Sequence, residues 1–251
     1  MKLLNEMLDI ILPRKCAGCE APREVFCETC QASSYQKNAQ CLFCGFRNHS
    51  GELCKECKKK FGTPLKKVLW AGRYDGELKK AIWALKYGRR KELSKPLGAM
   101  LAKKFLDINA ELGSPTSRGS RTSGSASNFV IIPIPLHFKK EHERGFNQAE
   151  LLAREFSKIT GIEIKTNILE KIKETKAQVE VESKEARINN LEGAFLVDIQ
   201  KFNNSTIQQL NHLAIILIDD VSTTGATLTH AARALANAGA KNILGLAVAH
   251  G

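Results

Sequence analysis

The residues with the clearest chemistry are two adjacent acids, Asp219 and Asp220, which follow an apolar run and precede a threonine-rich turn. Two carboxylates can accept hydrogen bonds from vicinal hydroxyls. Free N–H groups and hydroxyls at the start of a helix can bind a phosphate dianion, and Gly225 would let it approach the backbone closely. Together these groups suit a ribose 5-phosphate. The alternative is a structural turn capped by Ser222 or Thr223, but a cap needs one hydroxyl and no carboxylates.

Eight cysteines, all before residue 58, form a second chemical pattern of four Cys-x-x-Cys pairs. Thiolates at positions i and i+3 across a tight turn can face one tetrahedral ion, so two pairs complete a structural zinc site. The pattern therefore predicts two Zn²⁺ sites, and it leaves open which pairs share each ion. A disulfide-stabilised secreted domain is the alternative interpretation. The predicted ligands are Cys16, Cys19, Cys27, Cys30, Cys41, Cys44, Cys54 and Cys57.

The segment before the first cysteine argues against secretion. Residues 1–12 place apolar side chains at helical spacing, interrupted by Glu6 and Asp9, and Pro13 ends the pattern. This indicates an amphipathic helix rather than the apolar region of a signal peptide. Elsewhere the apolar runs are far shorter than the roughly 18 residues needed to cross a membrane. We therefore expect a protein of the cytoplasm with no transmembrane segment.

Positive charge is concentrated in the middle of the chain. The formal net charge is +12, and residues 63–104 hold 12 basic and 3 acidic side chains. Interleaved cations and aromatic rings suit single-stranded DNA, because cations bind phosphates and rings stack on bases. For the aromatic residues Trp83 and Tyr87 we favour packing in the core, since their i, i+4 spacing is also ordinary core spacing. The candidate DNA-binding cations are Lys79, Lys80, Lys86, Arg89, Arg90 and Lys91.

Alternating strand and helix patterns must position these residues, and they predict a parallel sheet with crossover helices. We expect a cysteine-rich module over residues 1–62 and an α/β domain over 63–251, with a low-complexity insertion at 111–128. Asp75 should cap the first helix of the α/β domain. The other predicted helices are 94–106, 147–159 and 225–238, and the predicted strands are 129–134, 162–164, 213–218 and 242–249.

The segment 215–227 resembles the phosphoribosyl pyrophosphate (PRPP) signature of type I phosphoribosyltransferases, which have a Rossmann-like parallel sheet. With the cysteine pairs, the chain as a whole resembles the competence-protein F (ComF) family, in which a zinc-ribbon module precedes a phosphoribosyltransferase-like domain. The further motifs that carry this resemblance are Leu85-Lys86-Tyr87, Ile132-Pro133-Ile134-Pro135-Leu136-His137, Glu143-Arg144-Gly145-Phe146-Asn147-Gln148-Ala149, and Thr175, Gln178, Arg187, Asn189 and Gly193-Ala194-Phe195.

The resemblance implies a set of roles for individual residues. Asp219 and Asp220 would be the catalytic pair that holds the ribose hydroxyls, with Mg²⁺ bound alongside PRPP. Leu136 and His137 would form the pyrophosphate loop, although His137 as a solvated loop residue is an equal alternative. Arg144 would contact the diphosphate. The rest of the PRPP site would be Val221, Ser222, Thr223, Thr224, Gly225, Ala226 and Thr227.

One departure from the family pattern concerns the mobile loop, for which we take residues 170–190. Lys171 and Lys173 stand there where arginine is usual. A lysine gives a point charge instead of a planar fork, so this loop should clamp pyrophosphate weakly.

Three functions follow from the resemblance, and they belong to different classes. The first is a competence protein that handles single-stranded DNA in natural transformation and binds PRPP or a related phosphorylated ribose. The second is an active Mg²⁺-dependent phosphoribosyltransferase with an unidentified acceptor. The third is a zinc-module scaffold for a competence helicase. We favour the first, because an intact acid pair argues against a vestigial site and no acceptor motif is evident.

Overall fold

A computed structural model describes residues 14–22, 24–37, 39–48, 50–112, 129–174, 191–197 and 213–251. The predicted amphipathic helix at 1–12 lies outside these residues, as do Thr175, Gln178, Arg187 and Asn189. No helix in the described ranges is long and apolar enough to cross a membrane. Most of the predicted insertion also lies outside them. Its predicted start at 111 is too early, because a helix continues through Leu112.

Nine strands and seven α-helices make up the described part of the chain. The strands are β1 (Ala39–Gln40), β2 (Arg47–Asn48), β3 (Leu65–Arg73), β4 (Phe129–Pro133), β5 (Glu163–Ile164), β6 (Leu169–Lys171), β7 (Phe195–Val197), β8 (Ala214–Ser222) and β9 (Asn242–His250). The helices are α1 (Glu28–Ser34), α2 (Lys55–Phe61), α3 (Gly76–Lys86), α4 (Ser94–Leu112), α5 (Phe138–Arg144), α6 (Gln148–Thr160) and α7 (Ala226–Asn237).

The centre of the molecule is a five-stranded parallel sheet in the order β3-β9-β8-β4-β5. Helices α3, α4 and α6 pack mainly on one face, and α7 packs on the other, each through an apolar cluster. This confirms the predicted α/β class. Because all five strands run in one direction, their carboxyl ends meet at one edge of the sheet, where ligands bind in such folds.

One strand of this sheet was missing from the sequence prediction. β3 covers Leu65–Arg73, and it pairs with β9 at the edge of the sheet. Lys66 and Lys67 in its first half interrupt the apolar run, so the segment has the composition of a basic surface. The strand following Lys67 is nevertheless almost wholly buried.

The cysteine-rich module covers the outer edge of β3. Gln36 N donates to Ala71 O at 2.7 Å, and Val68 N donates to Gly51 O at 3.2 Å. A strand at a sheet edge otherwise presents unpaired N–H and C=O groups that invite aggregation. The module therefore completes the hydrogen bonding of β3 from a segment that precedes it in the chain.

The module also contributes to the core on both faces of the sheet. Phe26 and Cys30 belong to the cluster with α3, α4 and α6, whereas Leu42 and Leu53 belong to the cluster with α7. Phe46, by contrast, is 67% exposed and belongs to neither cluster. The module and the α/β domain share their hydrophobic cores.

We expect Gly72→Ala to destabilise the fold because Gly72 lies where the module meets β3. A β-carbon at Gly72 would lie 2.3 Å from the carbonyl oxygen of Ser34 and 2.6 Å from a methyl group of Leu78. Overpacking against backbone costs about 3 kcal/mol at the upper end of its usual range. The free energy of unfolding in urea measures this cost.

Gly161→Ala is the matched control for Gly72→Ala. Gly161 has a φ of 71°, and among the described residues no atom beyond its chain neighbours lies within 4 Å of a built β-carbon, so alanine there incurs backbone strain alone. That strain is about 1 kcal/mol. If Gly72→Ala costs no more than Gly161→Ala, the close packing of module and β3 is not as described.

Candidate ligand site at the carboxyl end of the sheet

The acid pair lies inside the last part of β8. The predicted strand ended at Ile218, but β8 continues to Ser222 because its pairing with β9 extends to Ser222 opposite His250. Asp219 is 7% exposed and Asp220 is 3% exposed. Two adjacent carboxylates buried in this way need compensation by a cation or by hydrogen-bond donors.

Lys86, the last residue of α3, compensates Asp220. Its Nζ lies 2.9 Å from Oδ2 of Asp220, and the Lys86 side chain is 17% exposed. Burial lowers the pKa of Lys86, but the Asp220 carboxylate outweighs burial, so the pKa is raised overall. We predicted Lys86 as one of the DNA-binding cations, and in the structure its ammonium also lies at the acid pair. In the sequence, only its place in the Leu85-Lys86-Tyr87 motif distinguished it from the neighbouring cations.

Asp219 is less well compensated than Asp220. Burial and the neighbouring Asp220 carboxylate raise the pKa of Asp219 to about 7, against a lowering effect of Lys86. Its Oδ1 accepts a hydrogen bond from Asp220 N at 2.8 Å. A cation or hydroxyl donors would favour the ionised form of Asp219. The pair is therefore suited to a ligand that brings positive charge or hydroxyl groups.

The turn after the acid pair leads into α7. Gly225, with a φ of 74°, precedes the helix, and Ala226 N donates to Thr224 Oγ1 at 3.4 Å. Ser222 Oγ is buried, and no hydrogen-bond partner for it occurs within the described ranges. This buried hydroxyl beside the start of a 12-residue helix suits an anionic ligand.

Close packing around Gly225 leaves no room for a side chain, which was not evident from the sequence. A β-carbon at Gly225 would lie 2.3 Å from Leu42 Cδ2 and 3.4 Å from Phe43 Cε1. Leu42 and Phe43 are the two residues between Cys41 and Cys44. The second half of the cysteine module therefore supports the turn directly, in addition to the backbone freedom expected of Gly225.

The segment after β4 brings His137 and Lys171 to the same edge of the sheet. His137 is 6% exposed, so its interpretation as a solvated loop residue was wrong. It pairs through the backbone with Lys171, the last residue of β6. Burial and nearby Lys140 lower the pKa of Lys171, while Asp219 opposes them. Lys173 instead donates from Nζ to Glu192 O at 2.9 Å, whereas Lys171 interacts electrostatically with Asp219.

A basic pocket lies next to the acid pair. It has a volume of about 340 Å³, and Lys86 forms part of its wall. The Arg144 guanidinium carbon lies 5.3 Å from the centroid of the Tyr87 ring, in a cation–π arrangement. The pocket combines four cations with a single carboxylate. Its lining residues are Lys86, Tyr87, Arg89, Lys140, Glu143 and Arg144.

Trp83 and Tyr87 are exposed beside this pocket. Trp83 is 54% exposed, Tyr87 is 60% exposed, and their ring centroids are 4.6 Å apart. The core packing favoured for them was therefore wrong. Helix α3 instead buries the face that carries Leu78, Ala81, Ile82 and Leu85. The rings of Trp83 and Tyr87 lie away from that face and are exposed to solvent.

The structure separates the other predicted DNA-binding cations from the pocket. Lys80 Nζ donates to Gly18 O at 3.2 Å, and Arg90 Nη2 donates to Lys15 O at 2.9 Å, so both hold the cysteine module. The Lys91 ammonium lies 4.8 Å from the centroid of the Phe146 ring, and the Lys79 ammonium lies 5.8 Å from that of Tyr74. Arg89 alone in the Arg89–Lys91 run lines the pocket.

The eight cysteines form two four-sulfur groups, which confirms the predicted arrangement. The first group is Cys16, Cys19, Cys27 and Cys30, and the second is Cys41, Cys44, Cys54 and Cys57. Consecutive pairs therefore share a site. Sγ separations include 3.6 and 3.8 Å in the first group and 3.8 and 4.0 Å in the second. A tetrahedral Zn²⁺ with Zn–S bonds of about 2.3 Å needs separations of about 3.8 Å, so both groups fit this ion.

Comparison with known proteins agrees with this architecture. Residues 142–251 match the model of the phosphoribosyl transferase domain. The parallel sheet, the buried acid pair before the turn and this match together define a phosphoribosyltransferase-type domain joined to a module with two four-cysteine groups.

Curated relatives extend the similarity to almost the whole chain. The DNA utilization protein YhgH of Salmonella typhi is 24% identical over 239 residues, which are 93% of this chain and 96% of that protein. Competence protein ComFC of Bacillus subtilis is 26% identical over 219 residues, or 87% and 80% of the two chains. Competence protein F of Haemophilus influenzae is 33% identical over 114 residues, or 45% and 47%. The chain is a homologue of these proteins, which confirms its resemblance to the ComF family.

We expect the purified protein to contain about two zinc ions, and we expect a strong chelator to destabilise the whole fold. Zinc binding contributes folding free energy directly in small four-cysteine modules. Because the module shares both hydrophobic cores, far-ultraviolet circular dichroism and tryptophan fluorescence should report one coincident urea transition, shifted to lower urea in the metal-free protein. Trp70 is buried in β3, so its fluorescence reports on the α/β domain.

The variant Cys41→Ser tests the second cysteine group alone. It should lower the zinc content to about one ion per chain and weaken the fold through the second group alone. Two separate unfolding transitions, with the α/β domain unaffected by chelation, would contradict the shared core.

Proposed function

We propose that this protein acts in DNA uptake during natural transformation, where it handles single-stranded DNA and binds PRPP with Mg²⁺ at the acid pair. The observation that carries the PRPP proposal is the buried pair Asp219 and Asp220 directly before the turn that starts α7. The names of the relatives support the role in DNA uptake and use.

Different residues of the site bind different parts of this ligand in our proposal. Asp219 and Asp220 accept hydrogen bonds from the ribose hydroxyls, and Ser222, Thr223 and Thr227 surround the 5′-phosphate. Lys171, near Asp219, supplies positive charge for the diphosphate. Arg144 lies on the basic pocket instead, with its guanidinium over Tyr87. Mg²⁺ bound with the ligand would neutralise carboxylate and diphosphate charge, and Asp219, whose ionisation is otherwise unfavourable, suits it.

Single-stranded DNA is the ligand that we assign to the basic pocket and the exposed aromatic rings beside it. Cations in the pocket neutralise phosphates, and Trp83 and Tyr87 offer flat surfaces for base stacking. Deoxyribose has no vicinal diol within a DNA strand, so DNA does not supply the hydroxyl pair that the carboxylates suit. The DNA therefore belongs at the pocket and the ribose at the acid pair.

The cysteine module has a structural role in this proposal. It completes the edge of β3, contributes to both cores and supports Gly225 through Leu42. These contacts favour a brace for the site over a separate docking platform for a helicase. Cysteines grouped to bind zinc as thiolates favour a reducing compartment, and we place the protein in the cytoplasm.

Asp219→Asn should weaken PRPP binding in the presence of Mg²⁺ by about tenfold to a hundredfold, because it removes a charged acceptor at the ribose. Isothermal titration calorimetry measures the affinity, and the shift in melting temperature gives a second readout. Asp219 is preferable to Asp220 for this test, since Asp220 is the ion-pair partner of Lys86. Asp107→Asn, at a carboxylate paired with Lys103, is the matched control and should bind normally. Full affinity in Asp219→Asn would exclude the assigned site.

The same variant should change how stability depends on pH. Burial and the Asp220 carboxylate raise the pKa of Asp219 in the folded protein to about 7, from about 3.9 in an unfolded chain. Between about pH 4 and about pH 7, the folded state therefore binds more protons at Asp219 than the unfolded state does. Asp219 consequently lowers the free energy of unfolding as the pH rises through this range. Asp219→Asn should remove this contribution, so its stability relative to the wild type should increase from acid to neutral pH.

Replacing Arg89, Lys140 and Arg144 with glutamine should flatten the salt dependence of single-stranded DNA binding. Each phosphate contact contributes about 0.7 to the slope of log affinity against log salt, so three contacts give about two units. Fluorescence anisotropy of a labelled oligodeoxythymidylate measures the slope. Replacing the exposed lysines Lys103, Lys158 and Lys241 removes the same charge elsewhere and should leave the slope nearly unchanged. Equal slopes for the pocket variant and the wild type would place the DNA on another surface.

A further inference from the structure

We infer that the acid pair and the basic pocket are two ligand sites that share Lys86, so that a ligand at the acid pair strengthens phosphate binding in the pocket. Lys86 is the residue that both sites have in common. Its Nζ lies 2.9 Å from Asp220 Oδ2, and its side chain also lines the pocket with Arg89 and Arg144. This inference rests on the proposed function, because it names how its two ligands affect each other.

The single positive charge of Lys86 can pair either with the Asp220 carboxylate or with a phosphate in the pocket. When it neutralises Asp220, that charge is largely cancelled at the pocket. A ligand that brings a cation and hydroxyl groups to Asp219 and Asp220 supplies the compensation that Lys86 otherwise provides. The flexible four-carbon stem of lysine then allows its ammonium to turn toward a phosphate in the pocket. Occupancy of the acid pair thus adds one positive charge to the neighbouring site.

The connection between helix α3 and the following turn keeps the pocket close to the acid pair. Gly88 packs against the end of α3, and a β-carbon there would lie 2.8 Å from Ala84 O. Arg89 has a φ of 54°, which is uncommon for a residue other than glycine and incurs backbone strain. This tight turn brings Arg89 to the same pocket wall as Lys86 and Tyr87. A phosphate in the pocket therefore lies within reach of the Lys86 ammonium.

Thermodynamic linkage requires that the effect be reciprocal. If a ligand at the acid pair tightens DNA binding, then DNA must tighten binding of that ligand by the same factor. Couplings of this kind are typically about fivefold or more. Removing the Asp220 charge should release Lys86 and reproduce the effect without any ligand at the acid pair.

A double-mutant cycle on Lys86 and Asp220 tests this inference through DNA affinity and salt slope. The probe is a fluorescein-labelled oligodeoxythymidylate of about 12 nucleotides, a length that suits one single-strand site. Asp220→Asn should tighten binding about fivefold and steepen the log–log salt slope by about 0.7, because Lys86 gains a phosphate contact. Lys86→Met should change the slope little, since Lys86 is engaged with Asp220 in the wild type. The double variant should match Lys86→Met, apart from the small effect of removing the Asp220 charge itself.

A second measurement starts from the wild-type protein and needs no change at Asp220. Saturating PRPP with Mg²⁺ should tighten oligonucleotide binding to the wild type by about fivefold and should have no such effect on Lys86→Met. Lys158→Met removes the same charge from a distant helix, where Lys158 pairs with Glu155, and should retain the effect. Melting temperatures of all variants, measured alongside, identify any loss of folded protein.

The outcomes separate this inference from the function on which it rests. If the wild type binds neither the oligonucleotide nor PRPP, the proposed function fails, and the inference fails with it. If both bind but the effects of Lys86→Met and Asp220→Asn are additive, or PRPP leaves or weakens DNA binding, the inference alone is overturned. If PRPP tightens DNA binding equally in Lys86→Met, the two sites are coupled by another residue and Lys86 is not shared.

Discussion

The burial of two adjacent carboxylates at the end of β8 is the constraint around which the site is arranged. Asp219 and Asp220 are fixed by the pairing of β8 with β9, and they cannot move apart without breaking that pairing. One cation, Lys86, reaches Asp220 from α3, while Asp219 keeps a raised pKa. A simple turn at this position would require neither a buried ion pair nor a carboxyl group with a raised pKa. A ligand that brings hydroxyl groups and positive charge would offset both costs.

The cysteine module packs against the sheet and against the turn that follows the acid pair. It hydrogen bonds to the edge of β3 and inserts apolar residues into both cores of the sheet. The segment between Cys41 and Cys44 packs on Gly225, so a metal bound by the second cysteine group would hold the turn that follows the acid pair. The two cysteine groups, the edge of β3 and the turn after the acid pair are therefore parts of one structural unit.

Much of this could be predicted from local sequence. The spacing of the cysteines predicted two four-cysteine sites, although not which pairs share each one. The apolar run before Asp219 and the alternation of strands and helices predicted the parallel sheet. What could not be predicted depends on contacts between distant segments. The i, i+4 spacing of Trp83 and Tyr87 places them on one face of α3, but which face is buried depends on the packing of Leu78 and Leu85 against the sheet. The partner of Lys86 is 134 residues away in the chain, so no local pattern identifies it.

A crystal structure of the protein with Mg²⁺ and PRPP would show directly whether the acid pair binds the ribose. We expect ribose hydroxyls within hydrogen-bond distance of Asp219 and Asp220, the 5′-phosphate at the turn before α7, and the Lys86 ammonium moved from Asp220 toward the basic pocket. PRPP bound away from the acid pair, or bound there with the Lys86 contact to Asp220 still at 2.9 Å, would contradict it.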